Sequence, residues 1–332
     1  MYNYGIVIGK FYPPHAGHHF VIDKALDHCN RVTVIVVDRP IGIEREIPAS
    51  IRAAWLQEIH PTANVQIYIQ PDWLPNEDSK LWADVTVQNF GRPDAVFSSE
   101  SYAEAWAGLM NCANVQVDAK RTFHEVSGTE VRKDPFKYWH KLREPVRAWY
   151  VKRVVITGAE STGTTTLTKT LAEYYQTAYV PEYGRILYEG FVNCPNSPNL
   201  WTPRDLERIA QLQIEIEDEL ARKANKILFC DTDIMTTIAW FERYWPDKSS
   251  RELSRLARRV RSYAGYILTE SDFPFVQDGF RPDPPEGRAP LQERLRWLVR
   301  DRPHNLTVTG DHAKRLDAAI KFINKEILNV QS

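Results

Sequence analysis

Two short β-branched runs in this chain, residues 4–8 and 151–156, each end in a glycine-bearing turn suited to an anion. The first leads into Gly9, Lys10, Phe11, Tyr12, Pro13, Pro14, His15, Ala16, Gly17 and His18. The second leads into Gly158, Ala159, Glu160, Ser161, Thr162, Gly163, Thr164, Thr165 and Thr166. A strand that turns through glycine into a helix leaves the first helical N–H groups unpaired, and those groups attract phosphate. Two such starts constrain the chain to two cores of alternating strands and helices, each with a ligand cleft beyond its strand ends. At 332 residues the chain is long enough for both.

The rest of the pattern agrees. Residues 32–37, 65–69, 95–97 and 115–117 continue the first series of strands, with helix-periodic segments at 18–29 and 49–59 between them. After 151–156 a second series runs through 178–180, 226–230, 266–268 and 306–308. This predicts an α/β protein of two doubly wound parallel-sheet domains, residues 1–148 and 149–332. The segment 134–150, rich in Pro, Lys, Arg and aromatics, reads as a packed helical connector rather than a floppy linker. Residues 193–203 and 271–290 carry Pro, Gly and Asn and read as mobile loops or lids.

Several function classes are excluded. Lys and Arg (42) balance Asp and Glu (43), so no global field recruits nucleic acid or an acidic membrane. Cys29, Cys112, Cys194 and Cys230 form no C-x-x-C pair, which disfavours a zinc site and a disulfide framework and fits a reducing cytoplasm. No run approaches the ~20 apolar residues of a membrane span, and the start of the chain lacks the pattern of a signal peptide.

In the first turn, glycines permit close backbone approach to phosphate, and His15 and His18, three apart, can both donate to phosphoryl oxygens. Taken singly, either histidine reads as a helix cap. A second element, Ser127, Gly128, Thr129, Glu130, Val131 and Arg132, follows the fifth strand, and its hydroxyls and arginine can hold the tail of a nucleoside triphosphate. The second turn matches a Walker-type loop except at Thr164, where lysine is usual. Its N–H groups still form an anion nest, and Thr165 can ligate Mg²⁺. Lys169 lies five residues on, about 140° around the helix from Thr164, and points away; Lys152 starts the strand at its far end. Arg281, Arg288 and Arg294 are the substitutes for the missing charge, unless they are solvated surface residues. Asp231 and Asp233 end an apolar strand, one to hold Mg²⁺ and one to accept a hydroxyl proton, or both to cap helices. Glu182 competes as the base or as a ligand for a ribose hydroxyl, and Gly310 and Asp311 fall near a nucleobase.

The histidine motif together with Ser127–Arg132 resembles the nucleotidyltransferase superfamily, with Val126 and Gly128 in place of the Ile and second Ser usual there. The whole order of motifs resembles the NadR family: histidine motif, Ser-Gly-Thr-x-x-Arg, Asp134-Pro-Phe-Lys-Tyr-Trp139, Gly-x-Glu-Ser-x-Gly, Pro181-Glu-Tyr-x-Arg185 and Asp231-Thr-Asp233. The resemblance implies a Rossmann-like nucleotidyltransferase domain followed by a P-loop kinase-like domain. It implies adenylyl transfer from ATP to nicotinamide mononucleotide, giving NAD and pyrophosphate, in the first. It implies phosphorylation of ribosylnicotinamide in the second, with Mg²⁺ as cofactor. His15 and His18 would then stabilise the transferred phosphate, Thr129 and Arg132 hold the pyrophosphate end, and Lys10 contact the mononucleotide phosphate. Trp82, or less favourably Trp73, would stack on the cationic nicotinamide ring, with ordinary packing as the alternative for either. Some members of the family carry a helix-turn-helix domain ahead of this point; this chain starts at the first strand, so no DNA binding is expected. Four matters stay open: an adenylyltransferase whose second domain only senses nucleotide or partners a transporter, a regulator with neither activity, transfer of another nucleotide as in pantetheine-phosphate or cytidylyl-transferring relatives, and a homo-oligomer.

Overall fold

The computed structural model describes residues 1–39, 46–75, 78–120, 122–192, 201–259, 262–272, 274–275 and 287–329. The chain divides into two compact units, Met1–Arg147 and Ala148–Ser332.

The first unit runs β1 (Tyr2–Gly9), α1 (Ala16–His28), β2 (Cys29–Asp38), α2 (Ala49–Ile59), β3 (Asn64–Ile69), α3 (Ser79–Phe90), β4 (Ala95–Ser98), α4 (Ala103–Leu109), β5 (Ala113–Gln116) and α5 (Gly128–Lys133). α6 (Glu144–Tyr150) carries the chain across the division. The strands are all parallel, in the order β3-β2-β1-β4-β5. β1 is central because alternate residues find apolar partners on both faces. Val7 packs with Val34, Val36, Phe97 and helix residues Ile22 and Leu56. Ile6 packs with Ile35, Val96, Ala83 and Trp106 on the other side. Cys29 begins β2 instead of ending α1, pairing with Tyr2. Backbone pairing extends through the polar Asn30 and Arg31, which need no apolar side chain to join a ladder. α3 carries ordinary signals that periodicity alone does not resolve: Asp78 caps it, accepting from Leu81 N at 2.9 Å, and Gly91 ends it.

The second unit runs β6 (Lys152–Thr157), α7 (Thr164–Tyr174), β7 (Tyr179–Val180), α8 (Tyr183–Val192), α9 (Pro203–Lys223), β8 (Ile227–Asp231), α10 (Ile234–Tyr244), α11 (Arg251–Arg259), β9 (Gly265–Thr269), α12 (Arg288–Arg300), β10 (Asn305–Val308) and α13 (His312–Phe322). Its sheet is also all parallel, ordered β10-β9-β6-β8-β7, so each unit has its first strand in the middle. One face buries Ile156 and Phe229 against Leu167, Leu171 and Ala319 of α7 and α13. The other buries Leu268 against Ala239, Leu291 and Leu295 of α10 and α12. α9 is fixed to the sheet by a buried ion pair, Arg153 Nη1 to Glu217 Oε1 at 2.7 Å, with Tyr263 donating to Glu217 Oε2 at 3.0 Å. Removing one partner of such a pair costs about 3–5 kcal/mol because a buried charge is left behind. Much of the predicted loop 193–203 and of 271–290 lies outside the described residues, but Gly287 and the start of α12 fall within the second stretch and are ordered helix. No described helix is long and apolar enough to cross a membrane.

α1 also buries His19, whose Nδ1 meets His60 Nε2 at 3.0 Å. Burial, and then the neighbouring His60 and Arg143, push its pKa from 6.5 down to about 3. The unfolded chain takes up a proton on this ring below about 6.5, whereas the folded chain does so only near 3. Stability of the first unit is therefore full above pH ~6.5 and falls as pH drops toward ~3, by about 1.4 kcal/mol per pH unit while only the unfolded ring is charged. Urea unfolding followed between pH ~7.5 and ~5 should show that slope, and His19→Asn should flatten it.

Candidate functional site

Each unit opens a cleft at the carboxyl ends of its strands, where a parallel sheet reverses its winding. In the first unit a cleft of about 940 Å³ is lined by Gly9, Lys10, Phe11, Tyr12, His18, Trp82, Thr129 and Arg132, among others. A smaller cavity of about 200 Å³, lined by His15, Gly17, His18, Ser127 and Gly128, shares His18 with it. His15 precedes α1 in the cap position without capping it through its side chain. Its ring instead stacks on His18, centroids 3.7 Å apart at 27°, and His18 meets Phe11 edge-on at 5.0 Å.

Arg132 joins the two sequence motifs. Its guanidinium lies 4.3 Å over the Tyr12 ring, donates to the Tyr12 carbonyl, and donates from Nη2 to Thr129 Oγ1 at 3.1 Å. At Gly128 a Cβ would stand 2.4 Å from Tyr12 O, so only glycine permits this approach. Ser127 departs from expectation as a phosphate ligand. Its hydroxyl donates to Glu130 Oε2 at 2.8 Å and accepts from Glu130 N at 3.2 Å, forming a capping box, which leaves Thr129 and Arg132 to face the cleft. Trp82 stands in the wall with Nε1 donating to Pro75 O at 3.0 Å. Trp73 is 62% exposed and is not among the residues lining that cleft. One residue without a sequence signal braces the turn: Arg52 on α2, fully buried, donates to Lys10 O and pairs with Asp38 at 2.7 Å.

The second cleft, about 660 Å³, is lined by the whole loop Gly158–Thr166, with Glu182, Arg185, Thr232, Thr236, Trp240, Asp311 and Arg315. Gly158 packs against β9, where a Cβ would lie 2.3 Å from Thr269 Oγ1, and Gly163 caps α7 in the left-handed region at φ 80°. Thr165 Oγ1 donates to Asp231 Oδ2 at 2.6 Å, joining a loop hydroxyl to a buried strand-end carboxylate. Asp233 differs from its expected role. It caps α10, with Oδ1 accepting from Thr236 N at 3.0 Å and Oδ2 from Tyr266 OH at 3.0 Å, and burial raises its pKa. Both oxygens are engaged and Asp233 is not among the residues lining the cleft, whereas Glu182 is.

Two loop residues use their side chains to brace the loop while also lining the cleft. Glu160 pairs with Arg243 at 2.8 Å. Thr162 donates to Ala159 O at 2.7 Å and bonds Thr269 Oγ1 at 2.8 Å. Of the arginines expected to replace the lysine, Arg288 does reach the loop, its Nη2 donating to Ser161 O at 3.0 Å. Arg294 does not, since it pairs with Glu242 at 2.8 Å and covers Trp297. Arg281 lies outside the described residues. Lys169 sits 6.0 Å over the Tyr179 ring, away from the cleft. The buried Arg315, 153 residues from its partner, donates to Thr162 O at 2.6 Å and to Gly310 O at 2.7 Å. That distance in sequence is why no local pattern reveals it.

Adjoining this cleft is a cavity of about 70 Å³ walled by Tyr188, Trp201, Trp240 and Tyr244, with Glu182, Arg185, Thr232 and Thr236 shared between the two. Tyr188 and Trp201 stack at 5.7 Å and 28°, and Trp240 and Tyr244 at 5.5 Å and 29°.

These features define the class: an α/β protein with two all-parallel sheets, each opening a cleft at its strand ends. Comparison with known proteins narrows it. Residues 153–315 match the family model described as an AAA domain. Over 303 residues the chain is 30% identical to the trifunctional NAD biosynthesis/regulator protein NadR of Escherichia coli strain K12, covering 83% of this chain and 71% of that protein. Identity to the Salmonella typhimurium LT2 protein of the same description is 29%, covering 84% and 72%. The chain belongs to the NadR family. Its fold is also that of solved NadR crystal structures: one in complex with NAD and AMP-PNP (TM-score 0.76, 20% identity, 100% and 98% covered) and one in complex with NR (0.77, 21%, 99% and 97%).

Proposed function

We propose that the chain catalyses two consecutive steps of NAD synthesis: phosphorylation of ribosylnicotinamide in the second unit and adenylyl transfer to the resulting mononucleotide in the first. The E. coli and S. typhimurium relatives are NAD biosynthesis/regulator proteins, and related NadR proteins have been crystallised with NAD, AMP-PNP and NR.

For adenylyl transfer, the phosphate of nicotinamide mononucleotide attacks the α-phosphorus of ATP. The new O–P bond forms as the bond to pyrophosphate breaks, and its electron pair leaves on pyrophosphate. The nucleophile is already ionised, so no protein base is needed, and positioning and charge stabilisation suffice. In this reading the stacked His15 and His18 donate to the reacting phosphate, and Thr129 and Arg132 hold the leaving end. Lys10 faces the mononucleotide phosphate, and Trp82 offers a ring to the nicotinamide.

For phosphorylation, the carrying observation is the shared wall. Glu182, Arg185, Thr232, Thr236 and Trp240 line both the loop cleft and the aromatic cavity, so a hydroxyl held in one meets a terminal phosphate held in the other. Stacked aromatic pairs suit a cationic pyridinium ring, an attraction worth about 0.5–2 kcal/mol. Thr165 and Asp231 supply two hard oxygen donors for Mg²⁺, which usually completes its shell with water and phosphate oxygens. When bound, the ion neutralises charge on the phosphates. Among the described residues there is no cluster of three metal-binding His, Cys, Asp or Glu side chains, which suits an ion brought in with the nucleotide. Glu182 takes the hydroxyl proton.

Thr164 favours one rival, an adenylyltransferase whose second unit binds nucleotide without turnover. Incubation of the purified chain with ATP, Mg²⁺ and ribosylnicotinamide, following mononucleotide, NAD, ADP and pyrophosphate separately, decides between them. We expect ADP and pyrophosphate to accumulate together with NAD. NAD formed from supplied mononucleotide but not from ribosylnicotinamide selects the rival, and NAD from neither overturns the proposal.

A further inference from the structure

We propose that Arg185 supplies the cation that the phosphate-binding loop lacks at Thr164, acting on the transferred phosphate; this rests on the kinase reading above. Arg185 lies on α8 three residues after Glu182, so both face the same side at the start of that helix. Among the described residues it is the arginine that lines both the loop cleft and the aromatic cavity, which is where a phosphate in transit has to pass. Its Nε donates to Glu189 Oε1 at 2.9 Å, one turn on, and the side chain is about a third exposed at 32%, so it is held at the cleft rather than sunk beneath it.

The other described arginines near the loop are committed to holding it. Arg288 donates to Ser161 O, Arg315 to Thr162 O, and Arg243 pairs with Glu160. In an anion nest the N–H groups converge on the phosphate while the carbonyls diverge from it. Cations bound to Ser161 O and Thr162 O therefore brace the outside of the nest. Arg315 also lines the cleft, as do Asp311 and His312 near it in sequence, but among the residues walling the aromatic cavity it is Arg185, not Arg315, that appears.

In the step itself the ribose hydroxyl oxygen bonds to the γ-phosphorus of ATP as the bond from that phosphorus to the bridging oxygen breaks. The electron pair leaves on ADP and the hydroxyl proton goes to Glu182. Negative charge grows on the bridging and equatorial oxygens, where a lysine would ordinarily lie; the guanidinium of Arg185 reaches the same group from the acceptor side.

The test measures mononucleotide formation by the full chain. Arg185→Gln should lower kcat by about 10³-fold, the scale of an arginine acting on a transferred phosphoryl group, with a far smaller change in KM for ribosylnicotinamide. Arg185→Lys should keep part of the rate, and adding Thr164→Lys to Arg185→Gln should restore at least about tenfold of the loss by returning the charge from the loop side. An unchanged thermal unfolding profile of the full chain shows that the second unit is folded in each variant, and NAD formation from supplied mononucleotide shows the same of the first. An Arg185→Gln chain with kcat within about threefold of the parent, or one altered only in KM, overturns the role of Arg185 while the kinase reading stands. A parent chain that makes NAD from mononucleotide but forms no mononucleotide overturns the kinase reading itself.

Discussion

His18→Ala lowers kcat for adenylyl transfer by about 10²–10³-fold, the usual cost of removing one pre-aimed donor from a developing phosphoryl charge. KM for ATP changes much less, because the ground-state triphosphate keeps Thr129, Arg132 and the turn's N–H groups. His18 carries the larger effect because it lines both the main cleft and the adjoining cavity, whereas His15 lines the adjoining cavity and is 94% buried, at 6% exposure. His15→Ala removes the ring on which His18 rests, so the two losses should not add: the double variant should fall little below His18→Ala alone. Pyrophosphate release from ATP and nicotinamide mononucleotide reads both variants. A His18→Ala enzyme retaining more than about a tenth of kcat would mean that this ring packs the turn and does not act on phosphate.

Asp231→Asn abolishes most phosphorylation of ribosylnicotinamide, by about 4 kcal/mol or roughly 10³-fold, because a neutral amide holds Mg²⁺ poorly and the ion's charge on the phosphates is worth several kcal/mol. Shape is preserved, and the amide can still bond Thr165, so the loss should appear in ADP formation with little change in unfolding temperature. Excess Mg²⁺ should recover part of it. Asp233→Asn makes the contrast. That side chain caps α10 and accepts from Tyr266, and asparagine caps about as well as aspartate, so its replacement should cost little stability and leave the chemical step nearly intact. Equal losses of kcat in both variants would return Asp233 to the catalytic machinery and remove the distinction drawn from its hydrogen bonds.

Much of the fold is legible in the chain because strand-helix alternation and its period depend on near neighbours. The central strands β1 and β6 stand out as apolar runs since both of their faces are buried. The turn after β6 stands out because glycine is required at Gly158, where a Cβ would strike Thr269 Oγ1, and the start of α5 because glycine is required at Gly128, where a Cβ would strike Tyr12 O. α3 and α4 are less visible, since their apolar positions alternate with polar ones over short lengths.

The site divides in the same way. His15, His18, Thr129, Arg132, Thr165 and Asp231 belong to contiguous motifs, and the structure brings each set together. Asp233 and Ser127 carry motif positions but spend their hydrogen bonds on helix caps, a choice set by partners such as Tyr266 that lie far along the chain. Arg52, Arg243 and Arg315 leave no trace in local pattern, because an arginine on a helix reads as surface until its partner is known. The aromatic cavity is hidden for the same reason: Tyr188, Trp201, Trp240 and Tyr244 come from α8, the residues before α9, and α10, and ten tryptophans give sequence no way to select two of them.

The sequence alone therefore determined two parallel-sheet cores and the glycine-bearing turns that lead into their first helices, since backbone periodicity and the steric demands of glycine are local. Tertiary structure decided which charged side chains are committed to holding those turns and which face the clefts. That division depends on contacts such as Arg315 with Thr162 and Arg243 with Glu160, made across 153 and 83 residues, where burial leaves a charge no solvent and obliges it to find a partner.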